Sequence, residues 1–151
     1  MHFQDLTKQP PRSPRVRIRD YVILARAIDK CRAELARKSG EYHYDCPLDN
    51  MLFVFKGISA ADLRHKIESG AGDEEIGLWV DENGVDKTPE EIQAWSNGVE
   101  AYSLYNNPDA KKRQFFISDC ERLGLDPRTA TMFDWLEADD QASFQAEPAA
   151  S

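Results

Sequence analysis

DYVILARAIDKCRAEL, residues 20–35, decides the fold class. Tyr21, Leu24, Ile28, Cys31 and Leu35 recur at the spacing of one helical face. Asp20 stands where an N-cap belongs, and Gly40 where such a helix ends. The same grammar repeats downstream. Pro47 suits the first turn of a short helix with Cys46 at its N-cap and Gly57 at its end. Ser59-Ala-Ala-Asp62 is a variant capping box whose helix closes near Gly70, and Asp73 opens DEEIGLWV. Thr88-Pro-Glu-Glu91 is a complete capping box, followed by the stripe Ile92, Trp95, Val99 and Tyr102. Asn107 with Pro108 starts a helix whose core side is Phe116, Ile117, Cys120 and Leu123. Asp126 with Pro127 starts a last one around Met132, Phe133 and Leu136. Convincing alternating strands are absent. The expectation is an all-α fold, a compact bundle of six or seven short helices with an extended N-terminal arm.

The flanks break this pattern. Residues 8–19 hold three prolines, which disfavour a helix, so residues 1–19 read as an extended basic arm packed on the domain. In Arg15-Val-Arg-Ile-Arg19 an extended backbone sends three guanidinium groups to one side and Val16 and Ile18 to the other. The all-α domain spans 20–138. Residues 139–151 lack periodicity and read as a mobile tail. EEIGLW (74–79) and EEIQAW (90–95) share a helix-start pattern, acidic first turn and one apolar face, rather than a structural repeat.

Composition bounds the function. The chain has 151 residues, 41% of them hydrophobic and 10% aromatic, enough to bury a core and too many for a disordered polymer. No apolar run approaches membrane-spanning length, and MHFQDLTKQPPRSPR lacks a signal peptide's apolar segment. Three cysteines without a CxxC pair point to reduced thiols in a cytoplasm. The net charge is −8, unevenly spread: residues 1–40 carry ten Lys/Arg against four Asp/Glu, and residues 41–151 nine against twenty-three. So acidic a body repels phosphate, which argues against nucleic acid and for internal neutralisation or a small-anion site.

The residues DLT (5–7), PPRSPRVRI (10–18), YVILARAIDKCRA (21–33), GEYHYDCPLD (40–49) and the later DEEI, TPEEI and TMFDWLEADD carry a family resemblance. The chain resembles the bacterial family known as domain of unknown function 5069 over nearly its whole length. That resemblance implies a small, one-domain bacterial protein and no particular activity.

The chemistry is therefore read from the residues. Arg12, Arg15, Arg17, Arg26 and Arg32, with Lys30, could converge on an anion, since each guanidinium offers a planar fork to carboxylate or phosphate. Asp29 lies three residues from both Arg26 and Arg32 and could instead neutralise them. Glu41-Tyr-His-Tyr-Asp-Cys-Pro-Leu-Asp49 is the densest run of reactive side chains. Extended, it puts His43 and Asp45 on one side, a pair suited to general base work, and Tyr42 and Tyr44 on the other. Cys46 at an N-cap faces free backbone N–H groups, which favours a reactive thiol, while Cys31 and Cys120 fall on apolar stripes. Neither CxxC nor HxxxH occurs, so no metal is expected, and without GxGxxG or GxxxxGK[ST] no nucleotide cofactor either. The aromatic residues read as core.

The expected function is to bind a small anionic molecule between the arm, the first helix and residues 41–49. His43, Asp45 and Cys46 are its candidate catalytic groups, and the five arginines with Tyr42 and Tyr44 its ligand contacts. The alternative is an interaction module docking a protein partner through the basic arm or the acidic face. The oligomeric state is not encoded in any feature of the sequence.

Overall fold

Ser59, Thr88, Asp109 and Thr131 each accept a hydrogen bond from a backbone N–H of the first helical turn that follows, and these caps set most of the helix starts. The structure, a computed structural model, describes residues 3–144. Its elements are α1 (Leu24–Leu35), α2 (Pro47–Lys56), α3 (Ala60–Glu68), α4 (Asp73–Glu82), α5 (Pro89–Ala101), a 3-10 turn (Leu104–Asn106), α6 (Ala110–Leu123) and α7 (Met132–Ser143). The fold is all-α, and the one β-type feature among the described residues is an isolated bridge, Ile18 with Tyr21. No described helix is long and apolar enough to cross a membrane. The chain divides into two compact units, residues up to Ser96 and residues from Asn97, the division falling within α5.

In the first unit α1 packs against α2, α3 and α4. So surrounded, it has no solvent face for most of its length: every residue from Tyr21 to Cys31 is buried. A helix in that position must bury its polar residues with its apolar ones, and Arg26, Asp29 and Lys30 go inside. Its start differs from the sequence expectation. Asp20 caps nothing; Arg19 and Asp20 form a two-residue turn at φ 49° and 69°, closed by Ile18 N–H to the Tyr21 carbonyl (3.2 Å) and Tyr21 N–H to the Ile18 carbonyl (3.0 Å). The helix begins only after Ile23, which sits at φ 77°, a conformation costly for a β-branched residue. Complete burial of its side chain and a 2.8 Å bond from its N–H to the Pro14 carbonyl hold it there. The far end also comes early, at Leu35, and Gly40 serves another purpose. A Cβ there would stand 2.8 Å from the Leu6 carbonyl oxygen, so glycine lets the N-terminal segment pass close by.

The arm is non-helical, with Pro11, Pro14 and Ile18 buried. Val16 is 40% exposed, because a turn closed by Val16 N–H to the Ser13 carbonyl interrupts the extended backbone that the alternation assumed. α2 starts at Pro47 after Cys46 and ends at left-handed Gly57. Lys56, the last residue of α2, is 1% exposed and donates to the carbonyls of Asp81, Asn83 and Val85 at 3.3, 2.6 and 2.8 Å. The ammonium thus satisfies the open carbonyls at the end of α4, and burial pulls its pKa below the usual lysine value. The Thr88–Glu91 box forms in both directions, at 2.8 and 3.1 Å.

The second unit is built on Phe116, Cys120 and Ala130, against which Leu104, Tyr105, Leu125 and Trp135 pack. Trp135 meets Phe116 edge-on at 5.3 Å and donates its indole N–H to Asp119 at 2.7 Å. Two caps lie further along than the sequence suggested. Asn107 accepts from the Asp109 N–H, and Asp109 is the cap of α6. Asp126 closes a turn with Arg128, Thr129 and Ala130, and Thr131 with Asp134 forms the capping box of α7. In each case two polar residues near a proline compete, and the one that reaches the helix N–H groups wins. α7 continues to Ser143, so residues 139–143 are helical where a tail was expected. The rest of that expected tail, 145–151, lies outside the described residues.

Candidate functional site

The buried charges of α1 take their partners from three directions. Arg12, on the arm, meets Asp29 through its backbone N–H (2.8 Å), Nε (3.1 Å) and a terminal nitrogen (3.0 Å), and reaches Asp73 at 2.7 Å with the other. Arg32 binds the same Asp73 at 3.3 Å and the Ala71 carbonyl at 3.1 Å. Burial works against the Arg12 charge, but its bonds to Asp73 and Asp29 outweigh that and hold its pKa above the ordinary arginine value. The hydrogen bond from Arg12 conversely keeps Asp73 below the usual carboxylate range. Asp29 therefore pairs with Arg12 across seventeen residues, rather than with its helical neighbours Arg26 and Arg32. Arg12 and Arg32 are engaged by the protein's own carboxylates.

Arg26 is 3% exposed, donates to the Arg12 carbonyl at 3.3 Å and lies 5.4 Å from the centre of the Tyr42 ring. Arg15 and Arg17 are half-buried along the arm. The arm, α1 and residues 41–49 thus meet through Arg12, Arg26 and Tyr42.

Residues 41–45 are not an extended strand; turns occupy 44–45, and Asp45 adopts φ 67°. Tyr44 is buried, donating its hydroxyl to the Ala60 carbonyl (2.7 Å) and its N–H to Glu34 (2.9 Å), and burial drives its pKa far above the usual tyrosine value. Its two bonds tie the loop to α1 and α3. His43 is exposed, and no hydrogen bond or ion pair among the described residues joins it to Asp45. The Asp45 carboxylate accepts instead from the Asn50 amide at 2.9 Å. The left-handed turn separates the two side chains that a regular strand would align.

Cys46 has a different setting. Half-buried at the N-cap of α2, its sulfur accepts a hydrogen bond from Lys30 Nζ at 3.1 Å. The same ammonium lies 3.0 Å from Asp49 Oδ1, both partners being essentially inaccessible to water (3% and 0% exposed). Asp49 is the third residue of α2 and reaches back to the Asp45 N–H at 2.9 Å, as a capping carboxylate does. Burial pushes its pKa up, against the pull of Lys30 and of the Asp45 and Cys46 N–H groups. Lys30, Cys46 and Asp49 are the polar kernel of this surface, and of these only Cys46 retains solvent access. Cys31 and Cys120 are buried; burial raises both thiols, Cys31 to about 12. Among the described residues no three His, Cys, Asp or Glu side chains are placed to hold a metal ion.

Sequence reasoning missed Asp73 as the common anchor of Arg12 and Arg32. It also missed Lys56, whose carbonyl partners carry no side-chain signature. No curated protein matches the chain. A family described as Domain of unknown function (DUF5069) matches residues 8–142, which takes in the arm from residue 8, all of α1 to α6 and most of α7. The chain belongs to the DUF5069 family.

Proposed function

We propose that the chain binds a small anionic metabolite on the surface where the arm, α1 and residues 41–49 meet, with Cys46 as its reactive group. The observation that carries this reading is the Lys30 ammonium, buried against Asp49 and donating at 3.1 Å to the one half-exposed thiol. Thiols become nucleophilic where a cation and helix-start N–H groups face them and solvent can still reach them. Cys46 has the cation and the solvent access, and it stands at the N-cap of α2, although its sulfur accepts no hydrogen bond from the first-turn N–H groups. His43 and Asp45 flank the site from the solvent side. Arg12 and Arg32 act in this reading as the frame that holds α1, not as ligand contacts. Three free cysteines suit a reducing cytoplasm as the place of action.

The test compares a neutral and an anionic alkylating agent. Iodoacetamide labels Cys46 ahead of Cys31 and Cys120, as read by peptide mapping. An anion-binding surface also accelerates iodoacetate relative to iodoacetamide, compared with the same ratio for the urea-unfolded chain. The paired substitution K30M/D49N removes both buried charges together and abolishes that advantage. Equal rates for Cys46 in the folded and unfolded chains, or an iodoacetate ratio unchanged by folding, defeat the reading.

A further inference from the structure

The turn that replaces the expected cap of α1 forms a wall of a second site. Arg19 and Asp20, with Glu74 and Asp81 of α4 and Lys87, Pro89 and Ile92 around the start of α5, line a pocket of about 600 Å³. That volume is typical of small-molecule sites. Three of its charges are already paired: Asp81, Arg19 and Glu74. Asp81 receives the Arg19 Nε on one oxygen (2.6 Å) and the hydroxyl of fully buried Tyr21 on the other (2.8 Å). Arg19 also stands 3.7 Å from Glu74. A Cβ at Gly77 would come within 2.8 Å of the Arg19 side chain, so glycine on α4 makes room for this wall.

Two other charges are in no ion pair among the described residues. Lys87 Nζ lies 4.7 Å over the Phe55 ring, which stacks on Trp95, and no carboxylate among the described residues is within ion-pair distance of it. The Asp20 carboxylate meets no cation; its contact is the Gln93 amide at a long 3.4 Å. One pocket therefore offers an ammonium and a carboxylate that form no salt bridge among the described residues, with the apolar surfaces of Pro89 and Ile92 beside them.

We propose that this pocket binds a free α-amino acid with an apolar side chain, its ammonium on Asp20, its carboxylate on Lys87 and its side chain against Pro89 and Ile92. Ligands with a single charge satisfy only one of the two and leave the other desolvated and unpaired. The inference concerns a different surface from that of Cys46, and the two stand or fall separately.

The experiment titrates the full-length protein with L-leucine, L-leucinamide and N-acetyl-L-leucine, followed by amide chemical shifts. L-leucine is expected to saturate a set of shifts in residues 19–21, 74–81 and 87–92, with each single-charge analogue weaker by about tenfold or more, the loss of one charge-assisted contact. K87M and D20N each weaken L-leucine to a similar degree; asparagine tolerates the left-handed backbone of residue 20, so D20N keeps the turn. Unchanged spectra elsewhere confirm that both variants are folded. No saturable shift with L-leucine, equal binding of either analogue, or undiminished binding by both variants overturns the proposal.

Discussion

α1 and α6 are of similar length, twelve and fourteen residues, and they carry charge in opposite ways. α1 buries nine residues, three of them charged, and the partners of two come from elsewhere in the sequence: Arg12 for Asp29, Asp49 for Lys30. α6 buries Phe116 and Cys120 and leaves Lys111, Lys112, Glu121 and Arg122 in solvent. Among its polar contacts, Arg113 with the Asn107 carbonyl is short-range, and Asp119 with Trp135 lies at the edge of an aromatic cluster. A helix of the second kind is specified by its own stripe and caps. One of the first kind is specified only when distant residues arrive, because buried charges without partners cost more than their helix gains.

The comparison breaks most readily at Lys30. K30M leaves Asp49 fully buried without its counter-charge and is expected to cost ~3–5 kcal/mol in denaturant unfolding. K30M/D49L removes both charges and recovers much of that loss, as replaced buried ion pairs often do. R122A, on the exposed face of α6, leaves the unfolding midpoint where it was. A single variant as stable as the wild type would show that Asp49 does not depend on Lys30.

That contrast also explains what the sequence made legible. Ser59 with Asp62 and Thr88 with Glu91 were readable because a cap and its partner are three residues apart, and Pro47 to Gly57 because proline suits a first turn and glycine a left-handed end. The all-α class followed from the sum of such signals. The onset of α1 was not readable: Asp20 is a good N-cap by type, and what displaces it is the pairing of Ile18 with Tyr21 and the burial of Ile23. At the candidate site the sequence picked out Cys46 with its N-cap setting, and Lys30 within the basic set, but not their contact, because sixteen residues and a change of helix separate them. The His43–Asp45 pairing rested on a strand-like period that one left-handed residue abolishes.

A smaller effect sharpens the electrostatic side. The hydrogen bond from Arg12 holds Asp73 below its unfolded pKa of about 3.8, so the stability it supplies is fully present above that value and is lost as pH falls through the lower, folded one. D73N is therefore less stable than the wild type at neutral pH, by about 1 kcal/mol after allowing for screening at a carboxylate one-third exposed. The difference begins to shrink as pH falls below about 3.8. Urea unfolding at pH 7 and at pH 3 measures both ends, and a gap that persists undiminished at pH 3 would remove Asp73 from the network.

The smallest effect tests the local side of the comparison. Thr131 accepts the Asp134 N–H at 3.1 Å, and Asp134 accepts the Thr131 N–H at 3.0 Å, so α7 opens on a reciprocal pair between residues three apart in the sequence. T131A removes the hydroxyl acceptor and is expected to cost ~1 kcal/mol, while T131S, which keeps the hydroxyl, costs little. The loss should also be confined in space. Amide hydrogen exchange accelerates in the first turn of α7, around Phe133 and Asp134, where the released N–H groups turn to water, and the protection of α1 is unchanged. K30M does the reverse, loosening α1 and α2 around the unpaired Asp49. If T131A instead exposes α1 amides as strongly as those of α7, then the cap is not a local device, and the division between a helix fixed by its neighbours in sequence and one fixed by distant charges fails.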